Sequence, residues 1–337
     1  MKVLYVSGYS RMVLFNKLIA RALAEYGCEL EVFDWNSVYK LNKFVNILPR
    51  SKVEEKINSS LAKRAAEFKP DYIFILKGEP IYMSTLEQLK NETNARLFNW
   101  FGDDPWEFPV FSGKVANYYD YFFTYDPYSV DLYRKIGQNN AHHLCYGYDV
   151  ELTGSLEITE SDKAKYSCDV AFIGSHYPKR EELLRKIKDK YDVKIWGRGW
   201  KNSSCSDVYA GSALYGTDML KAMKCVKILV NIHKGFEEGV EASGEGLNLR
   251  VLEGTACGSF QITNRQADLP NRFEIDSEIV SFDNWQEAEE KIDYYLAHDS
   301  ERNEIAESGF KRVKKDHTLL QRIDQIFSIM DTRKNGA

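Results

Sequence analysis

Short unbroken apolar runs recur along the chain, each closed by a glycine, proline or polar turn and separated by stretches with apolar positions every three or four residues. Val3-Leu4-Tyr5-Val6, closed by Ser7-Gly8, shows no polar–apolar alternation, the pattern of a parallel strand buried on both faces. Leu14, Leu18, Ile19, Leu23 and Ala24 keep helical spacing up to Gly27, and Leu30-Glu31-Val32-Phe33 resumes a strand. Such a βαβ unit has a right-handed crossover. The pattern continues with a charged helix from Lys52 to Phe68, a strand Tyr72 to Leu76, a helix starting at Leu86 to Leu89, and a strand Arg96 to Trp100. Tyr121 to Tyr125 reads as a further strand, and a short one is expected around His142 to Tyr146.

From Asp149 to Tyr166 the apolar periodicity lapses and charge rises, which marks an interdomain linker. The alternation then restarts: strand Cys168 to Ile173, helix Lys179 to Lys190 with Leu183, Leu184 and Ile187 on one face, strand Val193 to Trp196, helix Thr217 to Lys224, strand Ile228 to Ile232. Helix Leu249 to Ala256, strand Phe260 to Thr263 and strand Ile279 to Phe282 follow, and three helices close the chain: Trp285 to His298, Glu301 to Lys314 and Leu319 to Met330. The expectation is an α/β protein with two successive Rossmann-like domains, 1–150 and 167–318, joined by a linker at 151–166.

A length of 337 residues agrees with two domains, each able to bury a core. With 45 basic and 50 acidic residues the net charge is -5, which argues against nucleic acid and anionic membranes as partners. No apolar run nears the roughly 18 residues of a membrane span, and MKVLYVSGYSRM turns polar too soon for a signal peptide, so a cytoplasmic protein is expected. Six scattered cysteines without C-x-x-C spacing indicate thiols in a reducing compartment, not a zinc site or redox pair. The 21 Tyr and 18 Phe serve cores first, though aromatic clefts also suit sugars.

The chemistry concentrates in Gly244 to Thr263, where Glu245 and Glu253 have seven residues between them, one at the mouth of the predicted helix and one two turns in. Such a helix suits a nucleotide's hydroxyls and phosphates, with Glu253 accepting from the ribose hydroxyls. Gly174-Ser175, between strand and helix, offers backbone N–H groups to a diphosphate, and Lys179 and Arg180 oppose the helix dipole unless an anion is near. His233 and Lys234 end another strand, and Lys234 and Arg250 flank the acidic pair as cations that would neutralise a pyrophosphate leaving group. The lack of an Asp-x-Asp triplet favours charge stabilisation without a metal. In the first half, Asp103-Asp104 between aromatics would supply a general base with a raised pKa, or form an ordinary Asp-Pro turn; His142 and His143 are weaker candidates.

The run from Glu245 through Asn248 and Arg250 to Glu253, followed by Ala256-Cys257-Gly258, resembles the Glu-seven-Glu motif of GT-B glycosyltransferases. Together with Asp169 to Gly174, Asn231-Ile232-His233, His317-Thr318 and Arg322, it resembles the CgeB-like group, named from a spore-maturation protein; the likeness spans Cys168 to Arg322 and is thin before it. The resemblance implies two Rossmann-like domains facing across a cleft, a nucleotide-sugar donor such as a UDP-sugar on the second, an acceptor on the first, and residues 319–337 crossing back to the first. It assigns Glu253 to the ribose, Glu245 to the donor sugar or phosphate, and Gly174, Ser175 and Arg250 to the diphosphate, with no cofactor and no metal. An inverting reaction would draw its base from Asp103 or Asp104. The acceptor could be a glycan, a lipid-linked, protein or small-molecule hydroxyl, and the oligomeric state is left open. A nucleotide-sugar epimerase and a noncatalytic sugar-nucleotide or glycan-binding protein are the alternatives.

Overall fold

A computed structural model describes residues 1–8, 14–45, 48–235 and 244–331, without the side chains of 41–45. The chain divides into two compact units, Met1–Cys145 with Leu319–Ala337, and Tyr146–Thr318. Among the described residues no helix is long and apolar enough to cross a membrane.

The first unit is built on six parallel strands: β1 (Lys2–Ser7), β2 (Glu29–Asp34), β3 (Tyr72–Leu76), β4 (Arg96–Phe101), β5 (Tyr121–Thr124) and β6 (Ala141–His143), in the order β2-β1-β3-β4-β5-β6. The unbroken apolar runs occupy its middle, where every residue of β3 is buried, while the mixed Glu29–Asp34 run lies at an edge, half exposed. One face packs Leu4, Val6, Ile73 and Ile75 against Ile57 and Leu61 of the helix Arg50–Phe68 and Leu86 and Leu89 of the helix Met83–Glu92. On the other, Phe327 of the helix Leu319–Asp331 stacks on Tyr26 at 5.3 Å between ring centres and meets Tyr72 edge-on at 5.3 Å and Phe98 at 6.2 Å. The last helix therefore completes the first unit's core.

The second unit repeats the theme with β7 (Val170–Ile173), β8 (Val193–Trp196), β9 (Tyr209–Gly211), β10 (Ile228–Asn231), β11 (Gln261–Asn264) and β12 (Val280–Phe282), all parallel in the order β12-β11-β10-β7-β8-β9. From β7 the chain moves outward through β8 and β9, then returns to lay β10 on the other side of β7. The strand order thus reverses between β7 and β10. In open α/β sheets ligands bind beyond the carboxyl ends of the strands at such a point.

Several elements depart from the sequence reading. The expected linker 151–166 is instead two short helices of the second unit, Val150–Gly154 and Glu160–Tyr166. Capping holds them in place of an apolar stripe: Asp149 accepts from Leu152 N, Thr159 and Asp162 form a reciprocal capping box, and Lys221 reaches Asp162 at 2.9 Å. The unit boundary accordingly falls at Cys145/Tyr146, and the strand expected at His142 to Tyr146 is confined to Ala141–His143. Edge strand Tyr209–Gly211 is too short for a periodic signal, while the helices Trp35–Val45 and Pro127–Lys135 were overlooked although Trp35, Val38 and Tyr39 keep helical spacing in the first and Asp126-Pro127 caps the second.

Candidate functional site

At the β7/β10 reversal, Gly174-Ser175 leave β7 and lead into the helix Pro178–Ile187, whose Pro178 pre-sets the first helical turn. Their loop is held tightly. Gly174 N donates to Trp196 O at 2.9 Å, Trp200 Nε1 donates to Gly174 O at 2.8 Å, and His176 N donates to Arg198 O at 2.8 Å. A Cβ on Gly197 would lie 1.8 Å from Gly174 O, so the loop after β8 can press there only as glycine.

Lys179 and Arg180 part company in the first turn of that helix. Lys179 points outward to Glu182 at 3.3 Å. Arg180 folds back: Nη1 donates to Ser175 O at 2.9 Å, and Nε and Nη2 donate to Ile232 O at 3.0 and 2.7 Å, with the guanidinium over Tyr177 and Phe172. Among the described residues all its partners are neutral carbonyls and rings. Burial pulls its pKa down to about 10, and the charge of Arg250 adds to that. A largely buried cation without a counter-carboxylate is an unfavourable arrangement that an anionic ligand would relieve.

Beyond β10, Ile232 carries Arg180 and His233 is buried, its backbone N and ring Nδ1 both on Asn264 Oδ1 at 2.7 and 3.0 Å. Burial, helped by the Arg180 charge and against the Asn264 bond, pushes the His233 imidazole down to about 4. Lys234, next along, is exposed.

The helix Leu249–Ala256 starts at Asn248, whose side chain caps Val251 N. The Asn248 and Asn231 amides also pair head to tail, at 3.1 and 3.3 Å, and Asn231 reaches Thr263 Oγ1 at 3.0 Å, tying the cap to the ends of β10 and β11. Gly254 lets the helix lie against the sheet, since a Cβ there would fall 2.6 Å from Gln261 Nε2 and 2.7 Å from Leu229 Cδ2. Arg250 Nη1 meets Glu253 Oε2 at 2.6 Å, and burial raises the Glu253 carboxyl while Arg250 opposes the rise. A single turn of the helix thus brings Arg250 and Glu253, three residues apart, to one spot. Glu245 is half-buried before the helix, where its carbonyl accepts from Asp268 N at 3.1 Å.

Seven of the nine binding residues expected from sequence, namely Gly174, Ser175, Arg180, His233, Asn248, Arg250 and Glu253, therefore lie at the carboxyl ends of β7 and β10 or on the helix packed there. Asn264 was missed. Like Asn231 it is the last residue of its strand, but the mixed run Gln261-Ile262-Thr263 before it does not set it apart as the apolar run before Asn231 does.

In the first unit, Asp103 and Asp104 follow β4 but have separate fates. Asp104 is fully buried and accepts from Ser112 Oγ at 2.7 Å, Thr124 Oγ1 at 2.8 Å and Tyr133 Oη at 2.7 Å. Burial raises it to about 6 despite those three bonds. Its raised pKa comes from desolvation rather than from Asp103, and with both oxygens occupied inside the core Asp104 is a structural carboxylate, a correction to its expected role as base. Asp103 is half exposed and pairs with Lys77, which follows β3 in the left-handed region at φ 62°. Burial pulls the Lys77 ammonium down, but Asp103 and Glu79 outweigh it and hold the group above its ordinary value. His143 Nε2 lies 3.1 Å from Tyr125 O, and His142 packs near Phe123.

The structure aligns over 98% of this chain and 100% of the other with Anabaena Alr3699/HepE, solved in complex with UDP-glucose, at a TM-score of 0.67 and 12% identity. The fold is GT-B. It also aligns with a putative UDP-N-acetylglucosamine 2-epimerase from Listeria monocytogenes at a TM-score of 0.61 and 9% identity, covering 100% of this chain and 97% of that one. Residues 179–328 match the family model described as glycosyl transferase-like. The resemblance to the CgeB-like group is present as well: the chain is 20% identical to the spore protein CgeB of Bacillus subtilis (strain 168) over 281 residues, 80% of this chain and 85% of that protein.

Proposed function

We propose that this protein transfers a sugar from a nucleoside diphosphate sugar to an acceptor hydroxyl, with protein cations in place of a divalent metal. The observation that carries the reading is Arg180, a largely buried guanidinium whose partners among the described residues are carbonyls and rings, at the strand-order reversal of a GT-B fold. A diphosphate there meets Arg180 and the N-terminus of the helix Pro178–Ile187, and Glu253, steadied by Arg250, takes the ribose hydroxyls. The likeness to UDP-binding GT-B proteins and to a glycosyl transferase-like family model supports that assignment.

In the reaction the bond from the anomeric carbon to the β-phosphate oxygen breaks, the acceptor oxygen bonds to that carbon, and the acceptor proton goes to a base. Asp103, exposed on the first unit, is the group we assign to it, for an inverting outcome. The charge left on the diphosphate falls on Arg180, which needs no reorganisation to receive it. Buried thiols at Cys168, Cys205 and Cys257 fit a reducing, cytoplasmic setting.

Calorimetry with UDP, GDP and ADP tests the donor site: at least one should bind, and Arg180→Ala should weaken it about 100-fold or more, on the scale of a charge-assisted contact. No binding of any of them would sink the reading. Asp103→Asn should leave nucleotide affinity unchanged and lower transfer about 100- to 10,000-fold. Conversion of a nucleotide sugar to its epimer without transfer would install the epimerase reading instead, which the Listeria neighbour favours.

A further inference from the structure

Among the described residues, His233 Nε2 is buried with no hydrogen-bond partner, on a side chain only 6% exposed. Which ligand atoms can satisfy it follows from the other ring nitrogen. Nδ1 lies 3.0 Å from Asn264 Oδ1, an oxygen that already accepts from His233 N at 2.7 Å, and the amide is oriented by its own Nδ2, which donates to Arg265 O at 3.2 Å. A carbonyl oxygen cannot donate, so Nδ1 carries the ring proton. Burial and the neighbouring Arg180 charge oppose a second proton, which leaves Nε2 with a lone pair only. An ionised phosphate oxygen also only accepts. The partner of Nε2 must bring a hydrogen of its own.

The hydrogen bonds of the site supply an order along which to place that partner. Glu253 is joined to Arg250 at 2.6 Å on the helix packed against β10, and Arg180 holds the carbonyl of Ile232, the residue directly before His233. With the ribose on Glu253 and the diphosphate on Arg180, the next group along is the diphosphate's other substituent. We propose that His233 reads a hydroxyl of the transferred sugar, accepting its hydrogen bond at Nε2, and so contributes to the choice of donor sugar. This rests on the donor-site assignment above. A sugar lacking that hydroxyl, or carrying fluorine there, leaves a buried acceptor facing nothing or facing another acceptor, the situation in which polar sites discriminate most strongly.

The test compares nucleoside diphosphates with their sugar esters. Calorimetry on the full chain would use UDP and GDP, their glucose, galactose, mannose and N-acetylglucosamine esters, and monodeoxy and monofluoro analogues of the tightest binder. Expected is a His233→Ala variant that binds the bare diphosphate within about twofold of the parent but loses about 10- to 100-fold on the sugar ester. One deoxy analogue should lose a similar factor on the parent and none on His233→Ala, the signature of one shared contact. His233→Gln, whose amide oxygen still accepts, should keep most of the sugar increment and guards against a folding artefact. If His233→Ala weakens the bare diphosphate as much as the ester, the residue holds phosphate and the inference falls. If it weakens neither, or if no hydroxyl couples to it, the inference falls too. A parent that binds no diphosphate at all overturns the donor-site reading underneath it.

Discussion

Two adjacent aspartates with the same intrinsic chemistry end in opposite environments. Asp103 keeps its carboxylate outside on Lys77, whereas Asp104 takes three hydroxyl donors in the core and is held near pKa 6 by burial. Its folded pKa lies above that of an ordinary aspartate, so its contribution to stability is fully present below about pH 4 and is lost as the pH rises through about 6. The whole swing is about 3 kcal/mol. The difference in unfolding free energy between the parent and Asp104→Asn, measured in urea from pH 4 to pH 8, should shift against the parent by most of that amount across this window. A difference that stays flat with pH would mean that Asp104 is not desolvated as described. Sequence could flag the pair as unusual but not sort it, because the hydroxyls that select Asp104 come from Ser112, Thr124 and Tyr133 on three other segments.

Strong apolar runs between glycine or proline turns reveal themselves as elements, and the helix Leu249–Ala256 was legible to its ends from its run and the stop at Gly258, with the Asn248 cap at its start seen in the structure. Elements held by caps and ion pairs were not, as Glu160–Tyr166 shows: its stabilisation is spread over a capping box and Lys221, which leave no apolar period. The contacts that join the candidate site were similarly hidden. Glu253 and Arg250 stood out by spacing, while the link from Arg180 to Ile232 and from His233 to Asn264 needs three strands brought side by side. The close seat of this helix can be tested. Gly254→Ala drives a methyl into Gln261 and Leu229, and should cost about 1–3 kcal/mol in denaturant unfolding. Because Glu253 must shift with the helix, nucleotide affinity should fall in the same variant. Unchanged stability would mean the sheet yields to the methyl more easily than a packed interior does.

At the scale of the whole molecule, the first unit depends on residues from the far end of the chain. Phe327 lies among Tyr26, Tyr72 and Phe98, and Arg96 Nη1 reaches Met330 O at 3.0 Å. Phe327→Ala should destabilise that unit by about 3–5 kcal/mol, read as an earlier unfolding transition, with the transition of Tyr146–Thr318 unmoved. A single transition shifted as a block would instead show that the two units unfold together. The chain passes between units twice, and the two passages lie together: Tyr148 N donates to His317 O at 2.9 Å and Tyr148 bridges to Thr318.

That excursion and return also sets an order of events during synthesis. Domains usually fold from the N-terminus as they emerge from the ribosome. Here Met1–Cys145 emerges first, yet its aromatic face stays uncovered until Leu319–Asp331 has been made. Tyr146–Thr318 is meanwhile complete in sequence, so the unit that is begun second can be finished first. For that interval Phe98 and Tyr72 form part of an open apolar surface on a growing chain, one that a chaperone can hold and the last helix then closes.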